Sequence, residues 1–369
     1  MIDLHPLFGE PIPGDKTLNM RVFPAKGPPR WLLESRSRRP WHLETWPRVN
    51  RRARLIYRLA RVLGAVGLHL PSRRLMMPCA ASSAYAQLQQ AYPHLGVFLG
   101  TAGRDRKIVV FAANRQSSVF VKIPTGPESE RLVDNEFRAL SHLCRLPALA
   151  PMLPTAKRVA GHMATQNMAA SGARFGALPQ SRVAEVHDVL FEIHNETRSL
   201  ADLSAVWVPE TGRTPVVDTR PALAALLHAN TTVCTRFLAA WPAEKAVSCY
   251  MAHGDFTRWN VLVAPDGTPQ IIDWELYGLR PKYFDLIHYT VSSDILVAKR
   301  PAAAIMAHLR EIGSRLAPGP DWGFYLGLYF LFQSCRYAPA YAVQQDLHPQ
   351  AHWQLNTWTE CLQEATPDA

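Results

Sequence analysis

Between His253 and Glu275 the chain reads HGDFTRWNVLVAPDGTPQIIDWE, and three of its polar residues keep a spacing that chemistry can use. Asp255 and Asn260 stand five residues apart in a loop before the β-rich run VLVAP, and Asp273 ends the apolar run PQIID. PDGT, between the two runs, is a turn sequence, so NVLVA and QIID are expected to pair as a hairpin. A hairpin sets the loop before its first strand beside the end of its second, which brings Asp255 and Asn260 towards Asp273. Two carboxylates and an amide oxygen are hard ligands that suit Mg²⁺. Alternatively, one carboxylate is left over to orient a hydroxyl nucleophile.

Phosphoryl transfer asks for this set. The kinase catalytic-loop pattern H-R-D-x-x-x-x-N supplies an Asp that accepts the substrate hydroxyl proton and an Asn that holds metal; a second Asp holds Mg²⁺ on the nucleotide phosphates. His253-Gly254-Asp255 and Asn260 reproduce the spacing, and Asp273 stands where the second Asp would, followed by Trp274 and Glu275. HGDFTRWN followed by IIDWE resembles the aminoglycoside phosphotransferase and choline kinase family over roughly Gly96 to Tyr289. The N-terminal extension, GTAGRDRK and the HGDFTRWN loop also resemble kinase-like proteins predicted in bacterial polysaccharide gene clusters.

The first resemblance implies a protein-kinase-like fold, ATP (or GTP) with Mg²⁺, and a small-molecule hydroxyl acceptor. It implies that Asp255 is the base or the group that orients the hydroxyl, and that Asn260 and Asp273 bind the metal. Lys122, in VFVKIP, matches the strand lysine on the nucleotide phosphates, and Glu136, in DNEFRAL, its ion-pair partner. His253 matches a structural member of the loop, and Asp285, in YFDLIHY, an aspartate that braces it. Glu275 is either a carboxylate near the metal or a strand-end residue. Arg258 and Trp259 lie inside the loop, where they are placed either to touch substrate or to face solvent. Gly100 and Gly103 lie where a phosphate-covering G-x-G-x-x-G loop would be, although LGTAGRDRK matches that pattern loosely. Thr257 stands where Ser/Thr protein kinases usually carry Lys, which points away from a protein kinase.

The elements that must position these residues give an α+β order. GVFLGTAGRDRKIVVFAANRQSSVFVKIP reads as three antiparallel strands, ESERLVDNEFRALSHLCRL as a helix ended by Pro147, and AKRVAG and HMATQNMA as further strands. SRVAEVHDVLFEIHNET and RPALAALLHANTTVCTRFLAAW read as helices, with a loop over VWVPETGRTPVVDTRP between them. The expected division is an N-terminal extension over 1–80, a β-rich nucleotide-binding lobe over 81–170 and a mostly helical catalytic lobe over 171–369, with a connector near Thr165 to Ala170 and a cleft between the lobes. Residues 1–45 read as an extended segment, and 48–66 as an amphipathic helix with a second stripe of arginines. That helix either docks on the fold with its arginines in water, the reading its ordinary pattern favours, or touches a membrane surface or an acidic partner.

Net charge is +10, from 40 basic and 30 acidic residues, which favours anionic partners. A polycationic aminoglycoside wants an acidic pocket, so the charge leans towards a neutral or anionic acceptor such as a sugar or glycan precursor. The alternatives are an aminoglycoside-type antibiotic kinase and a pseudokinase-like module that binds nucleotide or a partner. No nucleic-acid motif accompanies the basic segment, and no nucleic-acid partner is expected. Six dispersed cysteines without a C-x-x-C pair argue against a zinc ribbon and a secreted disulfide framework. No secretory signal is read at the start, and FYLGLYFLF is too short to span a bilayer, so a cytoplasmic protein is expected. His187 and His194 lack a third ligand nearby and read as packing or surface residues.

Overall fold

The structure, a computed structural model, describes residues 3–46, 51–100, 103, 105–166, 174–207, 220–316, 319, 321–342 and 349–367. The loop over VWVPETGRTPVVDTRP and the connector near Thr165 to Ala170 lie largely outside them, as do Thr101, Ala102 and Arg104 of GTAGRDRK. The chain forms two compact units with an α+β composition. Unit 1 holds residues 1–177 and 258–277, and unit 2 holds 178–257 and 278–369.

Unit 1 is built on one antiparallel sheet of eight strands. In chain order they are β1 (Lys16–Phe23), β2 (Trp31–Glu34), β3 (Arg73–Cys79), β4 (His94–Phe98), β5 (Lys107–Ala113), β6 (Ser118–Pro124), β7 (Thr155–Val159) and β8 (His162–Gln166). Their order across the sheet is β3-β1-β2-β4-β5-β6-β8-β7. The expected meander is β4, β5 and β6, paired as His94↔Ala113 to Phe98↔Val109 and Lys107↔Pro124 to Ala113↔Ser118. Successive side chains in a strand point to opposite faces. Leu95, Val97, Ile108, Val110, Ala112, Val119, Val121 and Ile123 therefore share one face and form the core. Phe98, Lys107, Val109, Phe120 and Lys122 are left on the other face. Both edge strands carry charge, Arg73 and Arg74 on β3 and Lys157 and Arg158 on β7, which discourages edge-to-edge pairing.

Among the described residues four α-helices belong to unit 1: α1 (His5–Phe8), α2 (Arg51–Ala65), α3 (Ala84–Ala91) and α4 (Pro127–Leu143). Pro127 opens α4, where a missing N–H costs nothing, and the Ser129 hydroxyl accepts the N–H groups of Thr125 (3.0 Å) and Gly126 (3.1 Å). Glu128 and Glu130 suit its N-terminal dipole. Its buried stripe is Leu132, Val133, Ala139, Leu140 and Leu143, with one carboxylate, Glu136, set among them.

Residues 1–45, expected as an extended segment, supply β1 and β2 of this sheet, and β3 follows the helix α2. β1 pairs with β3 from Lys16↔Cys79 to Val22↔Arg73, partners so far apart in sequence that no local pattern announces them. A 3₁₀ turn, Trp41–Thr45, crosses β4 at Gly96, where a Cβ would lie 2.2 Å from the Trp41 carbonyl carbon. Any larger residue there would push the turn away.

A small sheet completes unit 1. Val261–Val263 pairs with Pro269–Ile271 and with Arg174–Phe175. The turn between the first two is the one PDGT announces: Gly267 has φ 88° and the Thr268 N–H donates to Asp266 Oδ1 at 2.9 Å.

Unit 2 holds α5 (Gln180–Ile193), α6 (Leu200–Trp207), α7 (Pro221–Ala239), α8 (Phe284–Ser293), α9 (Ala302–Leu316), α10 (Trp322–Ala342) and α11 (Pro349–Ala365), with a sheet of Asn195–Ser199, Ala246–Ala252 and Gly278–Pro281. FYLGLYFLF lies in α10, which is buried all round from Phe324 to Ser334 and packs against α7, α8 and α11. Among the described residues no helix is long and apolar enough to cross a membrane. His187 is buried and its Nε2 accepts the Tyr283 N–H at 3.1 Å, a packing role.

Candidate functional site

The sheet face opposite the core of unit 1 borders a cavity of about 290 Å³. The alternation that buries Val121 and Ile123 turns Phe120 and Lys122 into this cavity. Neighbouring register adds Phe98, Lys107, Val109 and Thr165. The hairpin brings Asn260 and Asp273 to the same cavity, because the Ile272 N–H donates to the Asn260 carbonyl at 2.9 Å beyond the last strand pair. Trp259 lines it, and so do Glu44 and Thr45 of the 3₁₀ turn. These last two come from the segment over 1–80, to which sequence reasoning assigned no part in the site.

Lys122 is buried and bonded to two carboxylates. Its Nζ donates to Glu136 Oε2 and, at 2.5 Å, to Asp273 Oδ1. Burial pulls its pKa down, and Asp273 and Glu136 more than reverse that, so it stays charged well above the usual lysine range. Asp273 is in the left-handed region, with φ 70° and ψ 57°, a conformation Asp tolerates better than most residues. This geometry ends the strand and opens the short turn Trp274–Leu276. Trp274 is fully buried and donates its indole N–H to the Ile271 carbonyl at 2.9 Å, which pins the turn. From α4, the Asn135 amide donates to the carbonyls of Glu275 (3.0 Å) and Tyr277 (2.9 Å).

A second lysine was missed by sequence reasoning. Lys107 on β5 donates to Glu275 Oε2 and lies 4.0 Å from Asp273. It stands two residues along the strand from Val109, the partner of Lys122 in the register, so period-2 alternation could have pointed to it once β5 and β6 were paired. Glu275 is thereby placed among the charged groups, not at a bare strand end. Glu136, Asp273 and Glu275 have carboxylate oxygens within 4.8 Å of one another. Among the described residues, Lys107 and Lys122 face these three carboxylates.

The Glu275 carboxyl is pushed up to about 7 by burial and by Asp273, against the pull of Lys107 and Lys122. An unfolded glutamate releases its proton near about 4.3. Between these values the folded state binds the extra proton, so stability falls as pH rises through the window. In metal-free protein, the melting temperature should fall from about pH 5 to about pH 7. Glu275→Gln should flatten that slope in thermal melts; an unchanged slope would assign it to another group.

Gly100 lines the cavity at φ 71°, and a Cβ there would meet the Lys107 carbonyl oxygen at 2.3 Å. Gly103 does not line it; a Cβ there would meet Asp105 Oδ1 at 2.5 Å, and the intervening Thr101 and Ala102 lie outside the described residues. Arg258 is half-buried, and its Nε has no hydrogen-bond partner among the described residues.

Asp255 belongs to unit 2, where a buried network holds it. Asp285 is fully buried; its Oδ2 accepts the His253 N–H at 2.7 Å and its Oδ1 the Gly254 N–H at 3.0 Å. Gly254, at φ 84°, lets the loop bend there, and the Asp255 N–H donates to His253 Nδ1 at 3.1 Å. Asp255 Oδ1 contacts His288 Nε2 at 3.0 Å. An amide N–H of Gln333 on α10 points at His288 Nδ1 (2.9 Å), which makes Nδ1 an acceptor and leaves the ring proton on Nε2, aimed at Asp255. The Tyr329 hydroxyl lies 2.9 Å from the same Nδ1. His288, Tyr329 and Gln333 were not read from the sequence. The signal for His288 was its place one helical turn beyond Asp285 in FDLIH, which puts both on one face of α8.

The sequence model of the phosphotransferase enzyme family matches residues 100–328. No curated protein matches the chain at a significant level. Several solved structures are similar at low identity. Choline kinase LicA from Streptococcus pneumoniae is 14% identical, with 69% of this chain and 89% of that one covered at a TM-score of 0.44. A putative aminoglycoside phosphotransferase from Ralstonia eutropha JMP134 is 15% identical, with 76% and 96% covered at 0.45. A thermostable mutant of aminoglycoside phosphotransferase APH(4)-Ia, in ternary complex with ADP and hygromycin B, is 12% identical, with 76% and 98% covered at 0.49. These likenesses are too distant to carry an argument, whereas the family match spans well over half of the sequence, including Lys107, Lys122, Glu136, Asp255, Asn260, Asp273, Glu275, Asp285 and His288. The chain belongs to the phosphotransferase enzyme family.

Proposed function

We propose that this protein transfers the γ-phosphate of ATP to a hydroxyl of a small molecule, with Mg²⁺, and that the acceptor is a sugar or a glycan-related compound. The observation that carries the reading is Lys122, buried between Glu136 and Asp273 at the wall of a cavity that Asn260 also lines. A buried lysine fixed by two carboxylates is pre-oriented to meet phosphate oxygens. Phe98, Val109, Phe120 and Ile272 give the cavity an apolar wall that suits a nucleotide base.

The donor set fits a hard divalent cation. Asp273 and Asn260 would hold Mg²⁺, which when bound neutralises phosphate charge. The approach of the Glu136, Asp273 and Glu275 carboxylate oxygens within 4.8 Å of one another is the observation that favours a cation there. Asp255 receives the hydroxyl proton as the acceptor oxygen bonds to the γ-phosphorus and the bond to ADP breaks. His288 orients Asp255 through its Nε2 proton, and Asp285 fixes the loop backbone. Lys107 holds Glu275 beside the cluster, and Gly100 keeps the backbone close to β5.

Charge supports the choice of acceptor class. A net charge of +10 disfavours a polycationic antibiotic and favours a neutral or anionic hydroxyl compound. Radiolabelled ATP offered with a panel of purified sugars, sugar phosphates and aminoglycosides tests this. Transfer to the first two classes, dependent on a divalent cation, is expected. Transfer to aminoglycosides alone would overturn the acceptor class. Metal-independent nucleotide binding without transfer to any acceptor would identify a binding module instead.

A further inference from the structure

Helix α2 turns a stripe of large apolar side chains away from the protein, while Ile56 and Leu63 are half-buried. Among the described residues eleven large hydrophobic side chains are exposed, and seven of them lie between Leu55 and Met76. Leu55 (67% exposed), Leu59 (50%), Val62 (65%) and Val66 (69%) follow helical spacing; at 3.6 residues per turn they fall within about 60° of arc. The opposite face docks through small residues. Ala53 and Ala60 are buried, and Gly64 comes so close to the Arg38 carbonyl oxygen that a Cβ would lie 2.2 Å from it. The sequence favoured docking with the arginines in water; the helix does dock, chiefly by its small residues, and Leu55, Leu59, Val62 and Val66 are left outside.

The charge around this stripe has one sign. No Asp or Glu stands between Glu44 and Asp105, while eight arginines fall between Arg48 and Arg74. Arg52 and Arg58 flank the stripe on either side, and both are exposed. The next strand, β3, adds exposed Leu75 and Met76 beside Arg73 and Arg74 in the chain.

We propose that α2 lies in the surface of a lipid bilayer that carries anionic headgroups, with Leu55, Leu59, Val62 and Val66 inserted at the headgroup boundary and the flanking arginines on the phosphates. An apolar stripe bordered by cations is the arrangement that lies flat in a membrane interface, because long arginine stems reach up to headgroups while short aliphatic side chains enter the acyl region. A second copy of the chain is a poorer occupant. A twofold contact through this face would bring the two arginine clusters together with no carboxylate on the patch to offset them. The inference does not rest on the phosphotransferase reading.

Cosedimentation of the full chain with vesicles tests it. Vesicles of phosphatidylcholine with about one-third phosphatidylglycerol should pellet the protein, phosphatidylcholine alone should not, and raising the salt should release it. Leu59→Glu and, separately, Arg52→Gln with Arg58→Gln should each weaken binding about tenfold, since charges near an anionic surface and buried apolar groups both contribute. All these positions are exposed, so thermal melts should be unchanged. Absence of pelleting on anionic vesicles, equal pelleting on neutral ones, or full binding by Leu59→Glu would overturn the proposal. So would a dimer in sedimentation velocity that Leu59→Glu converts to monomer, which would assign the stripe to a second copy.

Discussion

Asp255→Asn is expected to lower turnover by about 10²- to 10⁴-fold, the range a positioned general base contributes, while nucleotide binding survives. The substitution keeps the shape of the side chain. Its amide oxygen still accepts the His288 Nε2 proton, and the Asp255 N–H still donates to His253 Nδ1, since that bond is made by the backbone. On the proposed reading, what is lost is the ability to take a proton from an acceptor hydroxyl. Single-turnover transfer with calorimetry of nucleotide binding separates the two. Near-full turnover in the variant would remove Asp255 from the chemistry. A parallel loss of nucleotide affinity would mean that the loop, and not the proton, had been disturbed.

Lys122→Ala is expected to cost both binding and stability. Glu136 is buried in an apolar stripe of α4, and its Lys122 partner is the cation that compensates it. Removing one member of a buried pair typically costs about 3–5 kcal/mol, because a charge is left behind without its partner. That is a large share of a total stability of about 5–15 kcal/mol. Denaturant unfolding should show the loss directly. The double variant Lys122→Met, Glu136→Gln removes both charges and should recover most of the stability but none of the nucleotide affinity. If the double variant bound nucleotide normally, Lys122 would be a structural lysine only.

The hairpin at the centre of the site was legible because its signals are local. PDGT specifies a turn, the flanking apolar runs specify strands, and the pairing Val261↔Ile271 follows. The meander was legible for the same reason, and it carried Lys122 with it. Lys107 was not, because its partner Glu275 lies 168 residues away and nothing near either residue names the other. The pairing of the first eighty residues was hidden likewise: Leu18, Met20 and Val22 alternate with Asn19 and Arg21 as in a strand, but β1 finds β3 across a long excursion that contains α2. His288 was visible as a helix neighbour of Asp285. Gln333, which sets its tautomer, reaches it from another helix 45 residues away.

The division of the chain into units has a consequence for its synthesis. Unit 1 takes its last segment, residues 258–277, only after eighty residues of unit 2 have passed. A ribosome that has delivered the first 177 residues has therefore produced β6 and α4 without Asp273, and Arg174–Phe175 without its strand partner. Glu136 and Lys122 must wait as a bare pair until the hairpin emerges. A fragment cut at the first boundary inherits that unfinished state permanently. Dissection of this protein into two autonomous pieces should thus fail, whereas coexpression of 1–177 with a segment that spans 258–277 should restore part of the first.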